Sequence, residues 1–263
     1  GAGRKWIENA VVENDYLPWM KWVNKEKVSF LKLNRKQQKW DMFISDRKTG
    51  KSIFILSEID SNGWLDNHGQ IYFLKDGKIV YLSEKTGFSH IWMSKHSGSN
   101  SWSITNGNWE VKSIEYIDED KGLIYFIANK ESVYENKLFS IGFNGNDLKV
   151  ITKEKGNHRI QILSSKKYFF DSYSNCDEPK KIILKELFNG KTIKIITETD
   201  KKQFQKFEWS NPKIVHFPIE NGKDTLAGII TLPPNYNKNK KYPLIIYGYG
   251  MPGTQIVWNQ WGN

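Results

Sequence analysis

Short strand-like runs separated by turns fill the chain up to Thr199, and four of them end alike. The four similar endings are SIFILSE, SWSITNG, LKVITKE and IKIITET. The corresponding apolar positions in them are Ile55, Ile104, Ile151 and Ile196. These positions are 49, 47 and 45 residues apart, so the chain contains a repeat with a period in the forties. A period of this size is typical of arrays built from one small structural unit.

The same order of signals precedes each repeated ending. An alternating strand is followed by a turn, a second strand, a longer connection, a third strand and a polar or glycine turn before the closing strand. The second repeat reads QIYFLKDG, KIVYLSEKTGF, HIWMSKHSG and SWSIT, with Asp76-Gly77 as a hairpin turn. Four short strands per repeat predict an all-β fold of β-propeller blades. The predicted blades lie near residues 16–58, 68–106, 109–154 and 157–199.

An array of immunoglobulin-like sandwiches is the alternative interpretation of the same strands. The regular closing strands favour the propeller, because a sandwich does not require an identical ending at each interval.

The pattern changes after Thr199. A polar linker leads to two strands around an Asn221-Gly222 turn, then to a Pro233-Pro234 break and a lysine-rich loop. The apolar run at 243–246 predicts a buried strand that opens into a Gly/Pro-rich loop. We therefore place a domain boundary near residue 205, between a partial propeller (1–205) and a second region (206–263).

The charge balance raises the question of nucleic-acid binding. The chain has 39 Lys and Arg residues against 29 Asp and Glu, a net charge of +10. The lysines occur as pairs near turns, such as Lys166-Lys167 and Lys180-Lys181, and this arrangement suits solvated strand ends. We expect no nucleic-acid partner. No run of about eighteen apolar residues occurs, so we expect no membrane span in this chain.

The single cysteine and the five histidines could suggest thiol or metal chemistry. Cys176 excludes an internal disulfide, has no histidine close in sequence, and is predicted to be structural. None of the histidines has the spacing of a metal-ligand set. We therefore expect neither a metal nor a cofactor, and His90 is predicted to pack in a loop. The five histidines are His68, His90, His96, His158 and His216.

Several motifs, in order along the chain, resemble the dipeptidyl peptidase IV branch of the prolyl oligopeptidase family of serine peptidases. They are YLPWMKWVNKEKVSFLKLNRKQQKWDMF, FLKDGKIVYLSEKTGFSHIW, TNGNWEVKSI and LPPNYNKNKKYPLIIYGYGMPGTQ. The resemblance covers nearly the whole chain. It implies an eight-bladed propeller of which this chain supplies about four blades, followed by the first strands of an α/β-hydrolase domain.

The resemblance also implies the activity and one site residue. In this branch the enzyme releases N-terminal dipeptides, and its partners are peptide substrates with Pro or Ala at the second position. The tyrosine of the motif before Met-Pro-Gly lies in the oxyanion hole, and Tyr249 is the matching position. Its phenol O–H would stabilise the developing oxyanion. Gly250-Met251 departs from the family's usual Ala-Gly or Gly-Gly, which leaves the local loop conformation open.

Other elements of the family's chemistry are not found in this sequence. No G-x-S-x-G nucleophile elbow occurs, and Gly87-Phe88-Ser89-His90-Ile91 comes nearest. No Glu-Glu pair that would hold the substrate amine occurs either. The resemblance places the serine, aspartate and histidine of the triad after residue 263. We therefore expect this chain to be part of a longer enzyme and to be inactive alone.

The resemblance leaves two functional alternatives and suggests two further properties. A prolyl tripeptidyl peptidase would share these motifs, and a stand-alone propeller could serve as a binding or scaffold module. The 213–255 segment favours the enzyme, since a binding propeller would not need it. The resemblance also implies a periplasmic or extracellular, cell-envelope location in a bacterium and a homodimeric enzyme.

Overall fold

The structure is a computed structural model of the chain. It describes residues 5–10, 14–65, 69–95, 100–200, 202, 204, 206–220, 222, 224–251 and 253–262. Every element in these residues is a β-strand, which confirms the all-β prediction. The described residues contain no helix that is long and apolar enough to cross a membrane.

The chain divides into two compact units. One consists of residues 1–126 with 141–148, and the other of residues 127–140 with 149–263. Residue 205 lies outside the described residues, and the domain boundary near it stays a prediction.

The first two sheets each contain four antiparallel strands in chain order. The strands of the first sheet are β1 (Met20–Trp22), β2 (Lys27–Leu33), β3 (Lys39–Asp46) and β4 (Ser52–Ile59). The strands of the second are β5 (Ile71–Phe73), β6 (Ile79–Ser83), β7 (His90–Ser94) and β8 (Ser101–Ser103). This up-and-down order is the strand order of a propeller blade.

The next two sheets repeat the blade order, and a two-stranded hairpin follows them. The third sheet consists of β9 (Val111–Asp118), β10 (Leu123–Ala128), β11 (Lys137–Gly142) and β12 (Lys149–Val150). The fourth consists of β13 (Asn157–Ile162), β14 (Tyr168–Ser174), β15 (Lys181–Glu186) and β16 (Thr192–Glu198). The hairpin consists of β17 (Lys213–Pro218) and β18 (Thr225–Ile230), and Asn221 in its turn lies outside the described residues. The predicted four blades are confirmed, and we number them 1 to 4.

The middle strands of blades 2 and 3 are buried on both faces. All five residues of β6 are buried, and β10 and β11 are buried apart from one end residue each. This explains why IVYL in β6 and LIYFIA in β10 are continuous apolar runs rather than alternating ones. Strand β11 also contains the buried polar residues Lys137 and Ser140. In the first unit, the core includes the fully buried side chains of Trp40, Met42 and Ile79.

A threonine closes blades 2 and 3 in the same way. The hydroxyl of Thr105 accepts a hydrogen bond from the backbone N–H of Ile91 at 2.9 Å. The hydroxyl of Thr152 accepts one from the N–H of Leu138, also at 2.9 Å. Both threonines are buried, and each satisfies a backbone group that the irregular end of the last strand leaves unpaired. The Ile-Thr pair in the second and third repeated endings therefore has a structural cause.

Glycines in the last turns of blades 3 and 4 lie against backbone of the preceding repeat. A Cβ built on Gly145 would lie 3.2 Å from the carbonyl oxygen of Ile104. A Cβ on Gly190 would lie well inside the contact distance of the carbonyl oxygen of Ile151. Gly190 also has a φ of +71°, a conformation that L side chains rarely adopt. The turn glycine is thus required both for its conformation and for the close approach.

Gly190→Ala is expected to lower the free energy of unfolding by about 2–5 kcal/mol, because left-handed strain and overpacking add together. The matched control is Gly222→Ala, since Gly222 has a φ of +65° with nothing within 4 Å of a built Cβ. That control should cost only the strain, about 1–2 kcal/mol. Urea unfolding of the two variants measures the difference, and equal losses would contradict the packing argument.

Glu58, in the closing strand of blade 1, is a buried carboxyl group. It is 9% exposed, and its Oε1 accepts a hydrogen bond from the hydroxyl of Ser83 at 2.6 Å. Burial raises the pKa of Glu58, although the Ser83 hydrogen bond and the nearby Lys85 ammonium act in the opposite direction. The fold therefore favours the neutral form of this carboxyl group.

Glu58→Gln is expected to gain stability relative to the wild type as the pH rises from about 4 to about 8. The raised folded-state pKa means that the favourable contribution of neutral Glu58 is complete below the unfolded pKa. It is lost as the pH rises through the folded pKa. Glutamine does not ionise and can still accept the Ser83 hydrogen bond, so it escapes this loss.

Thermal unfolding across this pH range measures the effect. Glu220→Gln, at an exposed position, serves as the control and should show no such trend. A pH-independent difference between Glu58→Gln and the wild type would contradict the expected cost of ionising Glu58.

Candidate functional site

Tyr249 lies in an exposed loop without regular secondary structure. Residues 241–250 form no strand and are exposed, and Tyr249 itself is 51% exposed. Its hydroxyl lies 2.7 Å from the sulfur of Met251, a weak acceptor. The hydroxyl is therefore free to donate to a stronger acceptor that approaches the loop.

The predicted buried strand at 243–246 is not present. Leu244, Ile245 and Ile246 are 77%, 93% and 83% exposed, and no strand of the described residues pairs with them. A strand forms only where a neighbouring strand supplies hydrogen bonds to its backbone. The apolar run alone therefore did not determine its structure.

The segment that follows Tyr249 is braced by local hydrogen bonds. The N–H of Thr254 donates to the carbonyl oxygen of Met251 at 3.1 Å, closing a turn in which Gly253 has a φ of +72°. The side chain of Gln255 donates to the carbonyl oxygen of Val257 at 2.6 Å. The indole N–H of Trp258 donates to the carbonyl oxygen of Gln255 at 2.9 Å. These bonds lie within residues 251–258, the stretch between Tyr249 and Asn259, and Pro252 lies outside the described residues.

The end of this segment is anchored within the second unit. The ring of Trp261 stacks on Trp209 at a centroid distance of 5.1 Å and meets Phe204 edge-on at 5.4 Å. The N–H of Trp261 donates to the hydroxyl of Ser174 at 3.3 Å. Aromatic pairs of this kind stabilise by about 0.5–1.5 kcal/mol beyond their buried area. Asn259, which also lies in this segment, makes further hydrogen bonds to blades 3 and 4.

A buried ionic cluster lies in blade 4. Asp171 and Lys185 are 0% exposed, and the Lys185 ammonium lies 3.0 Å from Asp171 and 2.7 Å from Glu154. Nδ1 of His158 lies 2.9 Å from Asp171, and Nε2 lies 3.0 Å from the carbonyl oxygen of Glu154. Both ring nitrogens of this histidine therefore face acceptors.

The ligand types of this cluster could suit a metal ion, since Glu154, His158 and Asp171 each present an atom within 4.8 Å of the others. The Lys185 ammonium, however, already lies between the two carboxylates, where a cation would bind. Burial raises the pKa of Glu154, but the hydrogen bond and charge of Lys185 outweigh it and lower that pKa overall. We interpret the cluster as a structural ion pair network rather than a metal centre. Sequence spacing could not reveal it, because its members come from different strands and loops.

His90 and Cys176 occupy buried structural positions. Buried His90 packs edge-on against Trp109, and its Nε2 donates to the carbonyl oxygen of Gly107 at 2.9 Å. Burial lowers the pKa of His90, in keeping with a neutral ring. Burial likewise raises the pKa of the Cys176 thiol, which disfavours a reactive thiolate. Both residues thus have structural surroundings, as predicted. The predicted loop position of His90 was wrong, because His90 is the first residue of strand β7.

Of the other three histidines, the structure describes His216. His216 lies near Tyr134, with ring centroids 5.7 Å apart. His68 and His96 lie outside the described residues.

A comparison with protein-family models identifies the propeller part. Residues 5–180 match the family described as the dipeptidyl peptidase IV (DPP IV) N-terminal region. The chain belongs to this family. The resemblance stated from the motifs is therefore confirmed.

Curated relatives extend the similarity beyond the propeller. Dipeptidyl peptidase 4 of Trichophyton rubrum is 29% identical over 249 residues, which cover 90% of this chain and 32% of that protein. Dipeptidyl peptidase 4 of Trichophyton equinum is 28% identical over 246 residues, with the same two coverages. The chain thus spans about a third of the length of these relatives.

A solved structure agrees in fold. The crystal structure of Porphyromonas gingivalis dipeptidyl peptidase 4 superposes with a TM-score of 0.90 at 19% sequence identity. The match covers 98% of this chain and 37% of that one. The fold of this DPP IV-family chain is therefore that of a known propeller peptidase over nearly its full length.

Lys185→Met is expected to lower the free energy of unfolding by about 3–5 kcal/mol, because it leaves the buried Asp171 without its charge partner. Lys181→Met, on the same strand, is the control. Lys181 pairs with Glu178 at a part-exposed site, and the loss there should be about 0–1 kcal/mol. Denaturant unfolding of both variants measures the losses. A small loss for Lys185→Met would show that the cluster does not depend on the lysine as its cation.

Proposed function

We propose that this chain belongs to a serine-type exopeptidase that releases N-terminal Xaa-Pro or Xaa-Ala dipeptides from peptides. The observation that carries the proposal is the alignment with proteins named dipeptidyl peptidase 4 over 90% of the chain. A propeller of this kind would gate and position the peptide, while the chemistry belongs to an adjoining hydrolase domain.

Within this proposal Tyr249 is an oxyanion-hole residue. Tyr249 is half-exposed on a glycine-rich loop, and its hydroxyl donates to the sulfur of Met251, a weak acceptor. A substrate carbonyl that becomes an oxyanion is a much stronger acceptor than a thioether. The hydroxyl would therefore bind the transition state more strongly than the ground state, as catalysis requires.

We propose that the nucleophile and its acid–base partners lie in another part of a longer enzyme. The sequence contains no G-x-S-x-G pentapeptide, so acyl-enzyme formation would use a serine elsewhere in the longer enzyme. We accordingly propose that this chain alone does not hydrolyse peptides. We also propose, from the resemblance, a homodimeric enzyme located in the periplasm or at the cell envelope of a bacterium.

The intact enzyme is expected to cleave a Gly-Pro chromogenic amide faster than a tripeptidyl-proline amide, and a serine-directed inhibitor should stop it. Tyr249→Phe should lower kcat by about 10²–10³, the range for losing one oxyanion donor. KM and stability should change little, because the ring and the ground-state contacts remain. Steady-state kinetics on both amides gives these values.

Tyr247→Phe is the matched control, since Tyr247 is 80% exposed and only two residues away. It should leave kcat unchanged. Cleavage of neither amide would refute the peptidase proposal, and preference for the tripeptidyl amide would favour the tripeptidyl alternative. Retention of kcat within a factor of two or three by Tyr249→Phe would refute the role of Tyr249 alone.

A further inference from the structure

Asn259, ten residues after Tyr249, has hydrogen bonds on all four of its polar groups. Its backbone N–H donates to the carbonyl oxygen of Tyr134 at 2.9 Å. Its carbonyl oxygen accepts from the side chain of Asn157 at 3.2 Å. Its side-chain Nδ2 donates to Glu135 at 2.7 Å, and Oδ1 accepts from the N–H of Cys176 at 3.0 Å. An asparagine saturated in this way is fixed in position and orientation.

The groups that form hydrogen bonds with Asn259 come from separate parts of blades 3 and 4. Glu135 lies in the connection between β10 and β11, Asn157 begins β13, and Cys176 lies in the turn between β14 and β15. They are 124, 102 and 83 residues away in sequence. One residue of the hydrolase-type segment thus joins three elements of the propeller.

Glu135, the acceptor for the Asn259 side chain, is itself held in place. Glu135 is 6% exposed, and its other oxygen lies 3.6 Å from the ammonium of the buried Lys137. Lys137 is held by a second carboxylate, Glu131, at 2.6 Å. Hydrogen bonds that involve a charged acceptor are roughly twice as strong as neutral ones. The bond from Asn259 to Glu135 is therefore the strongest single contact of this anchor.

We propose that Asn259 is a positioning residue for Tyr249. The segment from Met251 to Trp258, which has its own hydrogen bonds, connects the two residues. The anchor at Asn259 therefore fixes the position of the Tyr249 loop relative to blades 3 and 4. The exposed loop has no regular secondary structure of its own to hold it. The effect on catalysis rests on the proposed function of Tyr249, whereas the anchoring itself does not.

The decisive variant is Asn259→Asp in the full-length protein. It keeps the shape of the side chain and the acceptor for Cys176, but it replaces the donor by a second carboxylate oxygen facing Glu135. We expect kcat on the Gly-Pro amide to fall by about 10- to 100-fold, as misplacement of a catalytic group by about 1 Å does. KM should stay within a factor of about three, since ground-state binding does not use this contact.

A second substitution that reverses the direction of the hydrogen bond between positions 259 and 135 should restore kcat. In the double variant Asn259→Asp/Glu135→Gln, the glutamine amide can donate to the new aspartate while net charge is unchanged, and Lys137 keeps Glu131. We expect kcat to return to within about three-fold of the wild type. The matched control is Asn189→Asp, because Asn189 donates to Glu186 in the same way at an exposed turn. It should leave kcat unchanged.

Hydrogen exchange of the peptide spanning residues 247–258 tests the anchoring without any activity. Exchange should be faster in Asn259→Asp and return to the wild-type rate in the double variant. If Asn259→Asp does not fold, Asn259→Ser, which keeps the backbone bonds, is used for the kcat and exchange measurements with the same expected changes, and without the Glu135→Gln rescue.

An unchanged kcat in a folded Asn259→Asp, or a loss that the double variant fails to restore, would overturn the positioning role. Unchanged exchange would overturn the anchoring. If exchange responds as expected but Tyr249→Phe is without effect, the anchor stands, and the function proposed for Tyr249 fails.

Discussion

In blades 2 and 3 both faces of the middle strands are buried, and much of the structure depends on this constraint. Such strands are apolar along most of their length, as β6 and β10 are. Their neighbours approach closely, which accounts for a glycine where the last turn of blade 3, at Gly145, meets the backbone of Ile104. Any polar group inside must find a partner, because an unpaired one costs about 1–3 kcal/mol. Thr105 and Thr152 meet this demand for backbone amides.

The same demand explains the buried charges of a chain with a net charge of +10. Lys185 and Lys137 are buried, and each lies against two carboxylates. Taking an ion out of water costs several kcal/mol, so a buried lysine persists only where fixed anions repay that cost. In blade 4, Glu154, His158 and Asp171 are residue types that can bind a metal. Because Lys185 already pairs with both carboxylates, we interpret them as part of an ion pair network.

The candidate site combines an exposed group with a rigid support. Tyr249 stands in a loop without regular structure, and such loops position catalytic groups only when a scaffold holds them. Here the support comes from Asn259, which bonds polar groups of blades 3 and 4, and from Trp261, which stacks on Trp209 and donates to the Ser174 hydroxyl. This division of roles is physically reasonable, because a donor to a transition state must face the substrate while its backbone stays fixed.

Periodicity in the sequence determined the blades, because the repeated order of apolar runs and turn residues reflects local hydrogen bonding and burial. The motif around Tyr249 could be recognised in the sequence because its residues are contiguous, and the role of Tyr249 stays a prediction. The prediction of a buried strand at 243–246 was wrong, because an apolar run becomes a strand only beside a partner strand. The cluster around Lys185 and the anchor at Asn259 could not be predicted from the sequence. Their partners are far apart along the chain, and only the tertiary structure brings the donors and acceptors within hydrogen-bonding distance.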